Sequence, residues 1–279
     1  VIPSCVIVNA IVGPYRLSCQ QRNLRELLPV WDQLVAKYCF WEDSVLMTNY
    51  ELQIETLRAN RAIVDAGLVL LTWGNASVRH PCEPVMAIKP SGVPYDSLDA
   101  DAMVLVSIET GDVESGDLRP SSDTDTHLEI YRAFPNAQAV VHTHSAKAVA
   151  WAQGQRDIPI FGTTHADHFR DAIPVTREMK PEEVQDRYEY HTGAVIVETF
   201  RSRGIDPAAV SGVLVANHGP FAWGATATTA VENAIVLEAA AAMALDTRVI
   251  NPESNPAPEY LTEKHWLRKH GEDAYYGQT

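Results

Sequence analysis

Ala139-Val140-Val141-His142-Thr143-His144-Ser145 is an apolar run that ends in two histidines. The run predicts a buried β-strand over Ala139–His144. Side chains alternate faces along a strand, so His142 and His144 share one side and Thr143 faces the other. A single His-x-His is ordinary in a strand. Here a third imidazole, His218, follows the apolar stretch Val213–Ala216 in Asn217-His218-Gly219, and a carboxylate, Asp123, closes Pro120-Ser121-Ser122-Asp123. Three imidazoles and one carboxylate suit a divalent metal site, zinc above all. Manganese or cobalt would accept the same donors.

Working outward, the periodicity predicts a helix over Thr48–Ala66, stopped by Gly67. Strands are expected at Leu68–Trp73, Val85–Ile88 and Met103–Ile108, with a tight turn at Thr110-Gly111-Asp112. A helix at Thr124–Phe134 has Ser-Ser-Asp in capping position. Further helices are expected at Ala146–Gln153, at Pro181–Arg203 with a break at Gly193 and a stop at Gly204, at Thr226–Leu245 and at Glu259–His270. Alternation of strands and helices without long linkers predicts one α/β domain, residues 47–279, with helices covering a sheet.

The chain carries a formal net charge of −14. A nucleic-acid partner calls for a basic face, and the nearest candidate, Leu267-Arg268-Lys269-His270, is short and followed by acids. No apolar stretch reads as long enough for a bilayer span, so no membrane role is expected. Cys5, Cys19, Cys39 and Cys82 show no CxxC pairing, which fits a reduced, cytoplasmic protein.

Residues 1–46 differ from the rest. They hold three of the four cysteines, and their basic residues (Arg16, Arg22, Arg25, Lys37) cancel their acidic ones (Glu26, Asp32, Glu42, Asp43), so the whole net charge falls after them. The segment lacks the basic start and cleavage site of a signal peptide. A short helix is expected at Asn23–Tyr38. The segment reads as an N-terminal extension of uncertain origin ahead of a natural start at Met47; the alternative is an extension that packs on an oligomer.

Two loops suggest an anion pocket. Lys89-Pro90-Ser91-Gly92 follows a strand, and Pro120-Ser121-Ser122-Asp123 opens a helix whose N–H groups and dipole favour negative charge. Trp73-Gly74-Asn75-Ala76-Ser77 adds Asn75. There is no G-x-G-x-x-G and no GxxxxGK[ST], so neither NAD nor a P-loop nucleotide is expected.

Leu71-Thr72-Trp73-Gly74-Asn75, Ile88-Lys89-Pro90-Ser91-Gly92-Val93, Pro120-Ser121-Ser122-Asp123-Thr124, Val141-His142-Thr143-His144-Ser145, Gly162-Thr163-Thr164-His165-Ala166-Asp167, His218-Gly219-Pro220-Phe221-Ala222-Trp223-Gly224 and Ala274-Tyr275-Tyr276-Gly277-Gln278 are ordered along residues 48–278. Together they resemble the L-ribulose-5-phosphate 4-epimerases of the class II aldolase/adducin superfamily. The resemblance implies a three-layer α/β/α single domain with a central mixed sheet, and a ring-shaped homotetramer with active sites between subunits. It implies zinc on Asp123, His142, His144 and His218. It places the substrate phosphate on Asn75, Lys89, Ser91, Gly92, Ser121 and Ser122, with Thr163 and Glu189 near the substrate. Asp167 and Tyr276 match the proton-transfer pair. The implied reaction converts L-ribulose 5-phosphate, a phosphorylated pentulose, to D-xylulose 5-phosphate by cleaving and re-forming the C3–C4 bond, in arabinose catabolism.

Related fuculose and rhamnulose phosphate aldolases place a longer Glu where Asp123 stands, which favours epimerase over aldolase. A class II sugar-phosphate aldolase remains the first alternative. A non-catalytic module like the adducin head is the second, and a zinc hydrolase, without an HExxH motif, a third.

Overall fold

The structure, a computed structural model, describes residues 47–276. The extension 1–46, with its expected helix at Asn23–Tyr38, and residues 277–279 lie outside the described residues.

Thr48 starts the first helix, α1 (Asn49–Asp65), with a capping box. Its hydroxyl accepts the Glu51 N–H at 3.2 Å while the Glu51 carboxylate accepts the Thr48 N–H at 2.7 Å. The helix stops where Gly67 takes φ +71°. There Gly67 N–H bonds Val64 O and Leu68 N–H bonds Ile63 O, so left-handed backbone satisfies two orphan carbonyls.

Seven strands follow: β1 (Gly74–Arg79), β2 (Val85–Ile88), β3 (Val104–Ser107), β4 (Val113–Ser115), β5 (Ala139–Thr143), β6 (Gly212–Leu214) and β7 (Pro220–Gly224). They form one sheet in the order β4-β3-β2-β1-β5-β7-β6. The mixed sheet expected from the sequence is corrected here, because every ladder between these strands is antiparallel. The parallel pairing among the described residues is an isolated bridge, Val175 to Leu214.

Strand alternation sorts the core into two faces. Ala76, Val78, Ala87, Leu105, Val141 and Ala222 pack with Leu52 and Ile63 of α1 and with the first half of the long helix α7 (Ala227–Ile250). Ile88, Val106, Val140, Phe221 and Trp223 pack with α2 (Thr124–Ala133) and α6 (Tyr188–Arg203). Helices therefore cover both faces, and the three-layer α/β arrangement stands. The remaining α-helices are α3 (Ala146–Gln153), α4 (Thr163–Ala166), α5 (Pro181–Gln185) and α8 (Glu259–His270), with a 3-10 turn at Tyr95–Ser97.

Four local expectations change. The run Leu68–Trp73 is not a strand: Trp73 N–H bonds Leu70 O at 3.0 Å in a tight turn with Leu71 at φ +55°. The strand begins where the expected one ends, at Gly74. The helical stretch from Pro181 breaks at Arg187 (φ +46°), not at Gly193. Pro220–Gly224, quoted above only as a motif, is an interior strand. Finally, α7 is long and apolar enough to cross a membrane, contrary to the sequence reading. Ala230, Leu237 and Ala241 are nevertheless buried on its inner side, where it packs on β5, β6 and β7 as a core helix.

Candidate functional site

Cross-strand register builds the site. His142 on β5 pairs with Asn75 on β1 and with Phe221 on β7, so three side chains stand in one row on the sheet face shared with α2. His142 stacks on Phe221 with ring centroids 4.1 Å apart. His144 lies just past the end of β5. His218 sits in the turn joining β6 to β7, where Asn217 adopts φ +62° and donates its side-chain N–H to Glu178 at 3.0 Å. The ligand atoms of His142, His144 and His218 all lie within 4.8 Å of one another.

This donor set fits a divalent cation. Pro220 O lies 2.9 Å from His142 Nδ1, so that nitrogen carries the proton and Nε2 turns its lone pair inward. His144 Nε2 faces it at 3.1 Å. Burial, followed by the neighbouring His142, holds His144 and His218 below the ordinary imidazole value, His218 down to about 3. Neutral imidazoles are the form that binds metal.

Asp123 stands beside this cluster. It occupies the cap position of α2, yet its carboxylate makes no capping bond to that helix. Instead Asn75 Nδ2 donates to Asp123 Oδ2 at 2.6 Å. Burial opposes ionisation of Asp123, but His142, His127, the Asn75 hydrogen bond and His218 together hold its carboxyl below the usual carboxylate range.

The two expected phosphate loops lie side by side. Ser91 N–H bonds Arg119 O at 2.9 Å and Ser121 N–H bonds Lys89 O at 3.0 Å. Gly92 takes φ +69°, which the turn requires. This brings Lys89, Ser91, Gly92, Ser121 and Ser122 together, one residue from Asp123. Lys89 is 2% exposed; its ammonium donates to Pro90 O at 3.2 Å and lies 4.8 Å from the Tyr95 ring centre. Among the described residues no carboxylate neutralises it.

Asp167 and Tyr276 fall in a second corner, at the C-terminal helix α8. Asp167 accepts bonds from Arg268 Nε at 2.8 Å and His265 Nδ1 at 3.0 Å, and these hydrogen bonds outweigh burial to lower its pKa. Arg268 in turn lies 4.6 Å from the Tyr276 ring centre, and Arg268 O accepts the Tyr276 N–H at 3.1 Å. The groups bonded to Asp167 include none of the three clustered histidines. Thr163 begins α4, and Asp167 is the cap residue just past its end. Glu189 lies in the first turn of α6, where its carbonyl accepts the Thr126 hydroxyl at 2.6 Å, tying α6 to α2.

Sequence reasoning missed four neighbours of these groups. Tyr188 places its hydroxyl 3.4 Å from His218 Nδ1. Arg268 and His265 bind Asp167 from about a hundred positions away, beyond any local signal. His127, fully buried behind Asp123, was detectable, since it follows Asp123 by four residues on one helix face.

A family model described as the class II aldolase and adducin N-terminal domain matches residues 54–245. The match covers more than half of the chain, and the chain belongs to that family. Among solved structures, an L-fuculose 1-phosphate aldolase superposes with a TM-score of 0.65 at 22% identity, covering 77% of this chain and 94% of its own. The YgbL protein of Klebsiella pneumoniae superposes at 0.62 with 24% identity, over 78% of this chain and 99% of its own. L-fuculose 1-phosphate aldolase from Glaciozyma antarctica PI12 gives 0.64 at 20% identity, over 81% and 84%. At these identities the likeness establishes the fold.

Proposed function

We propose that the chain is a divalent-metal-dependent sugar-phosphate epimerase that interconverts L-ribulose 5-phosphate and D-xylulose 5-phosphate. The observation that carries this reading is the short carboxylate of Asp123, held by Asn75 beside three convergent imidazoles. His142, His144, His218 and Asp123 would hold the cation, with zinc the best match to the donors. A cation there supplies Lewis-acid polarisation of the substrate's carbonyl and hydroxyl oxygens.

The chain's own residues do the rest. Lys89, Ser91, Gly92, Ser121 and Ser122 bind the 5-phosphate, with Asn75 at the edge of that pocket. A base takes the 4-hydroxyl proton as the C3–C4 bond breaks, giving the enediolate of dihydroxyacetone and glycolaldehyde phosphate. The phosphate stays anchored while the aldehyde turns its other face. The C3–C4 bond re-forms, and an acid on that side returns a proton to the new alkoxide. Asp167 and Tyr276 are the proton-transfer groups in this reading, with Thr163 and Glu189 near the substrate.

Asp167 and Tyr276 share Arg268 in a corner whose contacts exclude the histidine cluster, so each chain carries two half-sites. We infer that a neighbouring copy joins them in a ring-shaped homotetramer. The exposed turn Leu70–Trp73, whose Trp73 ring lies 6.5 Å from His144, offers apolar surface for such a neighbour.

A class II aldolase is the second reading, since the cation cluster and phosphate loops serve both reactions. The two part only in whether the aldehyde is recaptured. The test adds L-ribulose 5-phosphate to zinc-loaded protein and follows D-xylulose 5-phosphate, with a trap for free glycolaldehyde phosphate. Conversion without trapped aldehyde supports the epimerase. Stoichiometric release of aldehyde moves the assignment to aldolase, full activity after chelation overturns the metal reading, and a need for added NAD overturns the route through C3–C4 cleavage.

A further inference from the structure

His127 is buried with 0% exposure one helical turn beyond Asp123, and its backbone N–H bonds Asp123 O at 3.1 Å. Its Nδ1 lies 2.7 Å from the Ser77 hydroxyl. That hydroxyl lies 2.8 Å from the Tyr131 hydroxyl, which also donates to Ser77 O at 3.0 Å. Among the described residues His127 Nε2 has no hydrogen-bond partner. The ring packs edge-on against Phe221, the residue that supports His142 from below. A fully buried imidazole with one nitrogen anchored and the other vacant is costly unless something engages the second.

Two proton assignments satisfy the anchored end. In one, His127 Nδ1–H donates to Ser77 Oγ and Nε2 is left as a bare lone pair. In the other, Tyr131 donates to Ser77 O, Ser77 donates to Nδ1, and Nε2 carries the proton. Only the second gives Nε2 a proton to donate, and the acid four residues earlier, Asp123, occupies the cap position of the same helix.

We propose that His127 is a positioning residue for Asp123: the Tyr131–Ser77 hydroxyls anchor its Nδ1 as the acceptor, and its Nε2–H donates to the Asp123 carboxylate in the cation-binding arrangement. Asn75 then steadies the carboxylate on one side and His127 on the other. The inference rests on the metal reading above.

The probe is Co2+ added to metal-free full-length protein, with affinity read by chelator competition and ligand geometry by the visible d–d spectrum. His127→Phe keeps the ring volume and removes both nitrogens. It should weaken Co2+ binding by about 10–100-fold, the usual loss for a group that orients a metal ligand, and alter the spectrum. In an Asp123→Asn background the same substitution should cost little more, because the carboxylate it holds is gone. If His127→Phe fails to fold, Ser77→Ala keeps the ring and releases the tautomer, and it should show the same loss and the same dependence on Asp123. Native affinity and spectrum in the variant that folds, or an equal loss in the Asp123→Asn background, overturns the proposal. Failure of the unaltered protein to bind Co2+ removes the metal reading itself and this inference with it.

Discussion

Lys89 holds an ammonium group inside the protein with a carbonyl oxygen and an aromatic face for company. Burial lowers its pKa, which is the signature of a charge kept at a cost to stability. Such a cost is tolerated where the charge meets a ligand. Lys89→Met should therefore raise the melting temperature, by roughly 2–4 °C for each kcal/mol recovered. It should also weaken binding of the pentulose phosphate by about tenfold or more, as a lost charge-assisted contact does. Thermal melts and substrate titration of the same variant check both signs, and a melting temperature that falls would show Lys89 to be structural. The two adjoining loops were legible in the sequence because each is a short string with its own turn chemistry. The Asn75–Asp123 bond was not. Serine-rich starts predict helix caps, and only the bond from Asn75 on β1 reveals that this acid faces the sheet.

At the scale of elements, α2 and α6 approach each other closely at Gly193. A Cβ there would stand 2.6 Å from Glu129 Cβ and 3.2 Å from Thr126 Cα. The glycine that looked like a helix break is a contact point instead. Gly193→Ala should gain about 1 kcal/mol of helix propensity. Overpacking should cost about 1–3 kcal/mol, leaving the protein no more stable or less so. Urea unfolding decides the sign, and clear stabilisation would refute the close contact.

His165, on α4, is buried, and burial pushes its pKa down to about 4 against an ordinary 6.5. Between those values the unfolded chain binds the extra proton, so stability rises with pH across the window and is lost on acidification from 6.5 towards 4. The full effect is about 3 kcal/mol. His165→Gln should flatten that part of the stability curve relative to the native protein, and an unchanged slope would contradict it. The long helices were legible from period and caps, as the Thr48–Glu51 box shows. Short elements were less so. The turn at Leu70–Trp73 is as apolar as a strand, and β7 opens with a proline, which sequence rules reserve for strand starts and edges.

For the whole molecule, the two half-sites make a test of assembly. If a cation cluster on one chain works with Asp167 and Tyr276 of the next, inactive His144→Ala and inactive Tyr276→Phe chains should regain activity when mixed, because some junctions contain both intact halves. Asp167→Asn mixed with Tyr276→Phe should stay inactive, because each junction draws both groups from one chain. Recovery in the second mixture would place Asp167 and Tyr276 in different half-sites. This pairing of Asp167 with Tyr276 through Arg268 was invisible in the sequence, since α8 meets α4 only in the fold.

The tight turn that replaces the expected first strand has one more consequence. It leaves the Trp73 indole about half exposed and 6.5 Å from the His144 ring. An indole at that range is an optical antenna for the histidine cluster. A paramagnetic ion captured by the three imidazoles would drain its excited state, and an approaching neighbour chain would shift its emission by excluding water. Loading and assembly could then be followed in native protein by light alone, with Trp73→Phe as the control that isolates its signal from the other five tryptophans.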